Sequence, residues 1–337
     1  GFSPTIKVAF IGRVMVGLGV SMVFIPTMKI LSRWFHPHEF AFMTGILNAV
    51  GGVGVLAATW FLALMTLFFG WRISFQLIGC CTFIIVVLVW LVVRDRPEDK
   101  GWPSIEKLDD NRDKAARPVK QISLMEGARR VVFEKYFWPV AIWFFLDCGI
   151  FFGFGALWGG PYLMHVYGMT RSQAGTVLSM IAWGMIIGSP PLGFLSDKVM
   201  KSRKKPFMLC NLILVFELAF LSIYPSGLSR ITLYFLFFIF SICASSVVIF
   251  GFTIVKELFP TEIAGTSTGM VNLFPFLGGA VFMPLLGRVL DAYPKSHAGG
   301  YSLKAYTMLI LILLGASVLS LICTFLAKET FQDKKTG

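Results

Sequence analysis

Three charged side chains interrupt long apolar runs of this 337-residue chain. Arg13 lies in one run, and its forked guanidinium is suited to binding a carboxylate or a phosphate. Asp147 lies in a second run, where burial favours the protonated carboxyl group, so this residue is a candidate proton carrier. Glu217 lies in a third apolar run, about as deep as Asp147 does in its own. A charge inside an apolar span is costly, so each is a candidate for function, with a structural contact between helices as the alternative.

Uncharged side chains complete the set of candidates. Trp158 and Tyr162, in FGALWGGPYL, can stack on a solute or donate to it, although an aromatic pair near a helix end is also common at membrane interfaces. Asn48 and Asn272 can face a cavity, or each can form a hydrogen bond between helices, worth about 0.6 kcal/mol on average. The few polar residues do not form a nucleophile and base pair, and the six cysteines lie in apolar runs without a CxxC pattern. We therefore predict no enzyme, metal or cofactor.

The candidate residues lie in segments whose composition is typical of membrane helices. Hydrophobic residues make up 56% of the chain and charged residues 14%, well below the usual quarter of a soluble domain. Several apolar runs reach the length of about 20 residues that spans a bilayer. The chain is therefore predicted to be an all-α integral membrane protein. Nine spans are predicted, near residues 7–33, 41–68, 74–93, 137–165, 172–196, 206–224, 231–255, 265–290 and 304–327.

The positions of the basic residues predict the orientation. With nine alternating spans, all of the cation-rich connections fall on one side, which the positive-inside rule makes cytoplasmic. The net charge of +12 then reflects membrane topology and not nucleic-acid binding. Segment 94–136 is polar and contains prolines, so it is predicted to be a cytoplasmic linker between the bundles 1–93 and 137–327, and 328–337 a cytoplasmic tail. The predicted location is a bacterial inner membrane.

Two distant segments resemble each other. Thr44-Gly45-x-x-Asn48 matches Thr268-Gly269-x-x-Asn272, which indicates two halves derived from one unit. The later segment belongs to the fifth span of a six-helix half. The earlier segment should then also be fifth, so three further helices are expected before Gly1, and the chain is predicted to contain the last nine of twelve.

Three motifs carry a resemblance to a known family. The loop GFLSDKVMKSRKKP (193–206) is similar to the pattern G-x-L-x-D-R/K-x-x-x-x-R-K, and GRVMVGLG (12–19) and GWR (70–72) follow two further patterns of the same family. In this order and spacing they resemble the major facilitator superfamily of secondary transporters. The matching loop residues are Gly193, Leu195, Asp197, Lys198, Arg203 and Lys204.

The resemblance implies a fold of two pseudo-repeated bundles and a substrate path between them. Spans 7–33, 137–165 and 231–255 would line that path, together with one of the helices expected before Gly1. The resemblance also implies a gating role for the loop. Asp197 would bond to neighbouring helix ends in one state and release them in another. The other gating candidates are Gly193, Lys198, Arg203 and Lys204.

These observations favour a monomeric permease that moves a small organic solute by alternating access, in symport with a proton or another cation. Arg13 and the basic cytoplasmic surface favour an anionic solute. A drug or metabolite efflux antiporter is an alternative, although the family's Gly-Pro antiporter motif is missing from the second span. A non-transporting sensor, scaffold or remnant is another alternative, and substrate-dependent proton movement would separate it from a transporter.

Overall fold

The computed structural model describes residues 2–36, 39–103, 122–260, 262–296 and 299–331. The described chain is helical throughout apart from its turns and one isolated β-bridge between Lys295 and Tyr301. Its α-helices are α1 (Ile6–Ser21), α2 (Phe24–Trp34), α3 (Phe40–Leu56), α4 (Leu62–Val92), α5 (Leu124–Phe133), α6 (Phe137–Ile150), α7 (Gly159–Tyr167), α8 (Arg171–Trp183), α9 (Ser189–Phe194), α10 (Lys204–Ile223), α11 (Arg230–Leu258), α12 (Ala264–Val271), α13 (Leu273–Asp291) and α14 (Leu303–Leu326).

Short π-helical segments interrupt several of the long helices. They lie between α3 and α4, α6 and α7, and α8 and α9, and directly after α9. Their ranges are Ala57–Phe61, Phe151–Trp158, Gly184–Gly188 and Leu195–Val199. Wider turns of this kind bend a helix locally and are frequent at functional sites. The last of them contains Asp197.

Eight helices in the described part of the chain are long and apolar enough to cross a membrane. They span Ile6–Trp34, Phe68–Val92, Phe137–Tyr167, Arg171–Val199, Lys204–Ile223, Arg230–Leu258, Ala264–Asp291 and Leu303–Leu326. The remaining predicted span, near 41–68, corresponds to the shorter apolar helix α3 and the π-helical segment after it. Gly70 separates it from the next span, since its φ of 73° lies in the left-handed region and breaks the helix inside α4.

The chain forms two compact units, and the division falls inside α3. The first unit comprises Gly1–Phe40 and Gly54–Val119, and the second comprises Ala41–Val53 and Lys120–Gly337. In the first unit, α1 has no buried residue, and the Trp34 indole donates to the carbonyl of Arg94 at 3.1 Å. The predicted division into bundles 1–93 and 137–327 stays a prediction.

The core of the second unit is rich in aromatic side chains. Helix α6 (Phe137–Ile150) buries most of its residues there, and the Trp143 ring packs edge-on against Phe207 with centroids 4.2 Å apart. The predicted linker contains α5, whose Ser123 hydroxyl accepts from the N–H of Glu126 at 3.2 Å. Residues 104–121 of that linker and 332–337 of the predicted tail lie outside the described residues.

Candidate functional site

The predicted gating loop forms a buried ionic network. Asp197 Oδ2 accepts from the backbone N–H of Phe42 at 3.1 Å, in the first turn of α3. The first N–H groups of a helix have no partner within the helix, and a carboxylate there is stabilised by about 0.3–1 kcal/mol. Asp197 Oδ1 forms an ion pair with Arg203. The loop thus contacts the N-terminus of a neighbouring helix in this structure, and the gating role of that contact stays a prediction.

Arg203 lies at the centre of this network. It is 1% exposed, and its Nε and Nη2 donate to Glu257 at 2.8–3.2 Å while Nη1 donates to the Ser196 hydroxyl at 3.0 Å. Burial alone would lower the pKa of the guanidinium, but the carboxylates of Glu257 and Asp197 reverse the shift, so the pKa is raised. The planar fork of arginine suits contact with two carboxylates at once.

Gly193 makes the contact between the loop and α3 possible. A Cβ atom at this position would lie 2.6 Å from the carbonyl oxygen of Ala41, closer than such atoms approach in proteins. The backbones of α9 and α3 therefore come together only because residue 193 is glycine. Of the other predicted gating residues, Lys198 is exposed, and Lys204 Nζ donates to the carbonyl of Phe325 at 2.6 Å.

The segment after α14 is attached to the same network by Glu329. Its carboxylate accepts from the backbone N–H groups of Arg203 at 2.9 Å and Lys204 at 3.2 Å, and from the Ser202 hydroxyl. Thr330 adds a hydroxyl donor to Glu257 at 2.7 Å. Because Glu329 receives N–H groups at the start of α10, it acts as an N-terminal cap supplied from a distant part of the chain.

We expect acid to release this cap. Burial raises the pKa of Glu329, but the hydrogen bonds that its carboxylate accepts together lower the pKa by more, so it lies below the usual value. Because the pKa of Glu329 is lower in the folded than in the unfolded protein, its ionised form stabilises the fold. This contribution is complete above the unfolded glutamate pKa of about 4.3 and is lost as the pH falls through the lower folded-state pKa. Hydrogen exchange of the Arg203 and Lys204 amides should therefore accelerate below about pH 4, relative to the amides of α14.

The same amides should exchange faster at neutral pH in Glu329→Gln, since one acceptor oxygen is replaced by a donor. The matched control is Glu262→Gln, because Glu262 is exposed and outside the network. Equal exchange in both variants would contradict the proposed cap.

Asp147 belongs to a second polar cluster, which lies entirely inside the second unit. It is fully buried, and its Oδ1 lies 3.4 Å from the Ser320 hydroxyl on α14. Ser320 is also 2.7 Å from Asn211 Oδ1 on α10, which accepts from the Trp143 indole N–H at 3.1 Å. The four side chains form a continuous hydrogen-bonded row across α6, α10 and α14.

Three other candidates have different surroundings. Arg13 lies in α1 and forms no ion pair or hydrogen bond with the described residues through its side chain. The Trp158 indole donates to the carbonyl of Met283 at 3.1 Å, and the Tyr162 hydroxyl donates to that of Pro225 at 2.6 Å. A solute would have to replace these bonds to use either aromatic donor, whereas the Arg13 side chain makes no such bond to a described residue.

The two asparagines of the repeat occupy different environments. Asn48 is buried on α3, and its amide donates to the Ser189 hydroxyl at 2.7 Å. Asn272 is half-buried at the junction of α12 and α13. Among the hydrogen bonds of the described residues, none joins the side chains of Asn48 and Asn272. Their predicted role in facing a cavity stays a prediction.

Most of the side chains that join Asp147 and Arg203 in their networks were not identifiable from the sequence. Trp143 precedes Asp147 by four residues and therefore lies on the same helix face, a signal that was available. Asn211 and Ser320 are isolated polar residues in apolar spans, and Glu257 and Glu329 follow long apolar runs. Nothing in the local sequence pairs these four with the candidates, because the contacts join elements more than 50 residues apart.

One short sequence has the spacing of a hydrolase motif. GTSTG (265–269) matches the pattern G-x-S-x-G, in which the serine must lie on a turn between a strand and a helix. Here Ser267 lies inside α12 and its hydroxyl donates to the carbonyl of Ala264 at 3.0 Å. The match is therefore not a nucleophile elbow. Across the described ranges, no group of three His, Cys, Asp or Glu side chains is arranged to hold a metal ion.

Comparison with known proteins identifies the family of this chain. A family model described as Major Facilitator Superfamily matches residues 1–283 and 141–336. The chain belongs to the major facilitator superfamily. With eight apolar helices long enough to cross a bilayer among its described residues, this member of the family is an integral, multi-pass membrane protein.

Two curated relatives show the range of functions near this chain. It is 25% identical over 283 residues to the membrane sensor protein UhpC of Escherichia coli (strain K12), covering 81% of this chain and 62% of that protein. It is 25% identical over 301 residues to the glycerol-3-phosphate transporter of Bacillus subtilis (strain 168), covering 86% and 66%. The chain therefore spans just under two thirds of the length of either relative.

A solved structure supports the fold. The chain resembles the crystal structure of the transporter FucP in its outward conformation, with a TM-score of 0.57 and 16% sequence identity. The match covers 90% of this chain and 71% of FucP. At this identity the likeness concerns the fold alone.

Proposed function

We propose that this protein is a secondary-active transporter of a small organic anion that carries a phosphate or a carboxylate. The observation that carries this proposal is Arg13, an arginine within an apolar helix of a family member whose side chain forms no ion pair with a described residue. An arginine there is costly unless it binds an anion, and its fork matches phosphate and carboxylate oxygens. The transport of glycerol 3-phosphate by a relative agrees with this chemistry.

In this proposal transport proceeds by alternating access and is coupled to a proton or another cation. Asp147 is the candidate proton carrier, since it is a fully buried carboxyl group that forms no ion pair among the described residues. The loop containing Asp197 and Arg203 would stabilise one of the two states by its contact with α3. The basic loop would face the cytoplasm, as the positive-inside rule requires.

Uptake into proteoliposomes tests the proposal. Radiolabelled glycerol 3-phosphate and a hexuronate are suitable probes, with an imposed proton gradient. We expect Arg13→Ala to reduce uptake of the accepted anion at least 10-fold, the effect of losing about 1.4 kcal/mol of binding. Lys7→Ala is the control, since Lys7 lies on the same helix and also carries one positive charge. Equal uptake by both variants would exclude anion binding by Arg13.

A solute sensor is the second candidate function. The observation in its favour is the similarity to a membrane sensor protein over 81% of this chain. A sensor would bind the anion, and lose that binding in Arg13→Ala, without moving it across the bilayer. Binding measured by calorimetry together with absent uptake would favour the sensor. Binding with uptake driven by a proton gradient would favour the transporter.

A further inference from the structure

The buried row of Trp143, Asn211, Ser320 and Asp147 has a definite hydrogen-bond direction, which begins at Trp143. An indole N–H can only donate, so the Asn211 atom 3.1 Å away must be its acceptor oxygen. The amide nitrogen of Asn211 then faces the carbonyl of Phe207, to which it donates at 3.1 Å. The orientation of this amide is therefore determined by its two neighbours.

The orientation of the Asn211 amide in turn determines which way the Ser320 hydroxyl points its hydrogen. Because Asn211 Oδ1 can only accept, the short contact of 2.7 Å between it and Ser320 requires the serine hydroxyl to donate. A hydroxyl has a single hydrogen. Toward Asp147 Oδ1, which lies 3.4 Å away on the other side, Ser320 is left with only an acceptor lone pair.

The direction of these hydrogen bonds thus determines the protonation state of Asp147. An ionised carboxylate would place two acceptors opposite each other in a fully buried site. Its second oxygen, Oδ2, is also buried and has no hydrogen-bond partner among the described residues. A protonated carboxyl group instead donates to Ser320 and removes the buried charge, whose burial without a partner would cost several kcal/mol.

The charged and titratable surroundings of Asp147 agree with a neutral group. The neighbouring titratable side chains are Cys148 on α6 and Cys243 on α11, with Cys210 and Glu217 on α10 interacting with Cys243. All of them are neutral or negative. Asp147 forms no ion pair with an Arg, Lys or His of the described chain, so no positive charge among these residues offsets an ionised carboxylate.

We propose that Asp147 is a proton-binding site that is occupied at neutral pH, and that Trp143, acting through Asn211 and Ser320, keeps the proton in place. Trp143 is a positioning residue, since it touches neither the proton nor Asp147 by hydrogen bond. The site lies within the packed helices α6, α10 and α14 of one unit. Only the use of this proton in transport rests on the proposed function, and the site itself does not.

Infrared difference spectroscopy of the purified protein in lipid tests the site without a solute. At pH 7, we expect wild type minus Asp147→Asn to contain one carbonyl band of a protonated carboxylic acid that shifts in D₂O. Glu217→Gln is the matched control, because it removes another buried carboxyl group and should leave this band unchanged. Loss of carboxylate bands instead of the acid band in Asp147→Asn would overturn the proposal.

Two further variants keep the test independent of the folding of Asp147→Asn. Ser320→Ala removes the acceptor of the acid proton, so the acid band should move to higher frequency, whereas an ionised Asp147 would have no acid band to move. Trp143→Phe lets the Asn211 amide rotate and Ser320 donate to Asp147, so the acid band should weaken at pH 7. An acid band that is unchanged in both variants would overturn the proposal. Replacement of the acid band of the wild-type protein by carboxylate bands when Na⁺ is added at constant pH would also overturn it. Transport assays can fail without affecting any of these spectra.

Discussion

Arg203→Ala is expected to lower the free energy of unfolding by about 3–5 kcal/mol, the usual cost of removing one partner of a buried ion pair. The substitution leaves the carboxylate of Asp197, which is 5% exposed, without its cation. It also removes the fork that holds Glu257 at 2.8 Å. Thermal unfolding of the purified protein in detergent measures the effect as a lower midpoint.

Three variants separate the loss of the network from a general effect of losing charge. Lys198→Ala removes a cation from the same loop, but Lys198 is exposed, so the change should stay within about 0.5 kcal/mol. Arg203→Lys keeps the charge without the fork and should be intermediate. Adding Asp197→Asn to Arg203→Ala should recover part of the loss, because the unpaired buried charge disappears. Equal midpoints for Arg203→Ala and Lys198→Ala would show that the network does not stabilise the fold.

Alanine substitutions at two glycines of neighbouring helices are expected to have opposite effects. At Gly278 on α13, a Cβ atom would lie 2.1 Å from the carbonyl oxygen of Phe145 on α6, so the two backbones must separate. Overpacking of this kind typically costs about 1–3 kcal/mol. Gly269 on α12 has open space around its Cα. There, Gly→Ala should be neutral, or stabilising by up to about 1 kcal/mol, through helix propensity.

Comparison of the two unfolding midpoints checks this prediction, with each variant serving as the control of the other. Gly278→Ala probes the contact between α13 and α6, the helix that contains Asp147. If Gly278→Ala proves as stable as Gly269→Ala, then α13 and α6 do not approach as closely as described. Size-exclusion profiles should be monodisperse for Gly269→Ala and broadened for Gly278→Ala.

The helical class and the apolar spans were predictable because they depend on short-range properties of the sequence. An apolar run of about 20 residues has few stable states other than a membrane helix, since each unbonded backbone group is costly in lipid. The family was also predictable, because the loop motif around Asp197 is a local pattern. The second predicted span was harder to delimit, since α3 ends in a π-helical segment and Gly70 breaks the helix after it.

The exceptional residues could be recognised from the amino-acid sequence, but the groups that each one contacts depend on how the helices pack. Asp197 and Arg203 lie six residues apart, so their pairing was within reach of a motif. Glu329 joins them only because α14 ends beside the loop, 126 residues further along the chain. Asp147 was recognisable as a costly charge, but its protonation follows from Ser320 and Asn211, which the packing of three helices brings together. Hydrogen bonds act over about 3 Å in space, and separation along the chain does not predict which distant groups come that close.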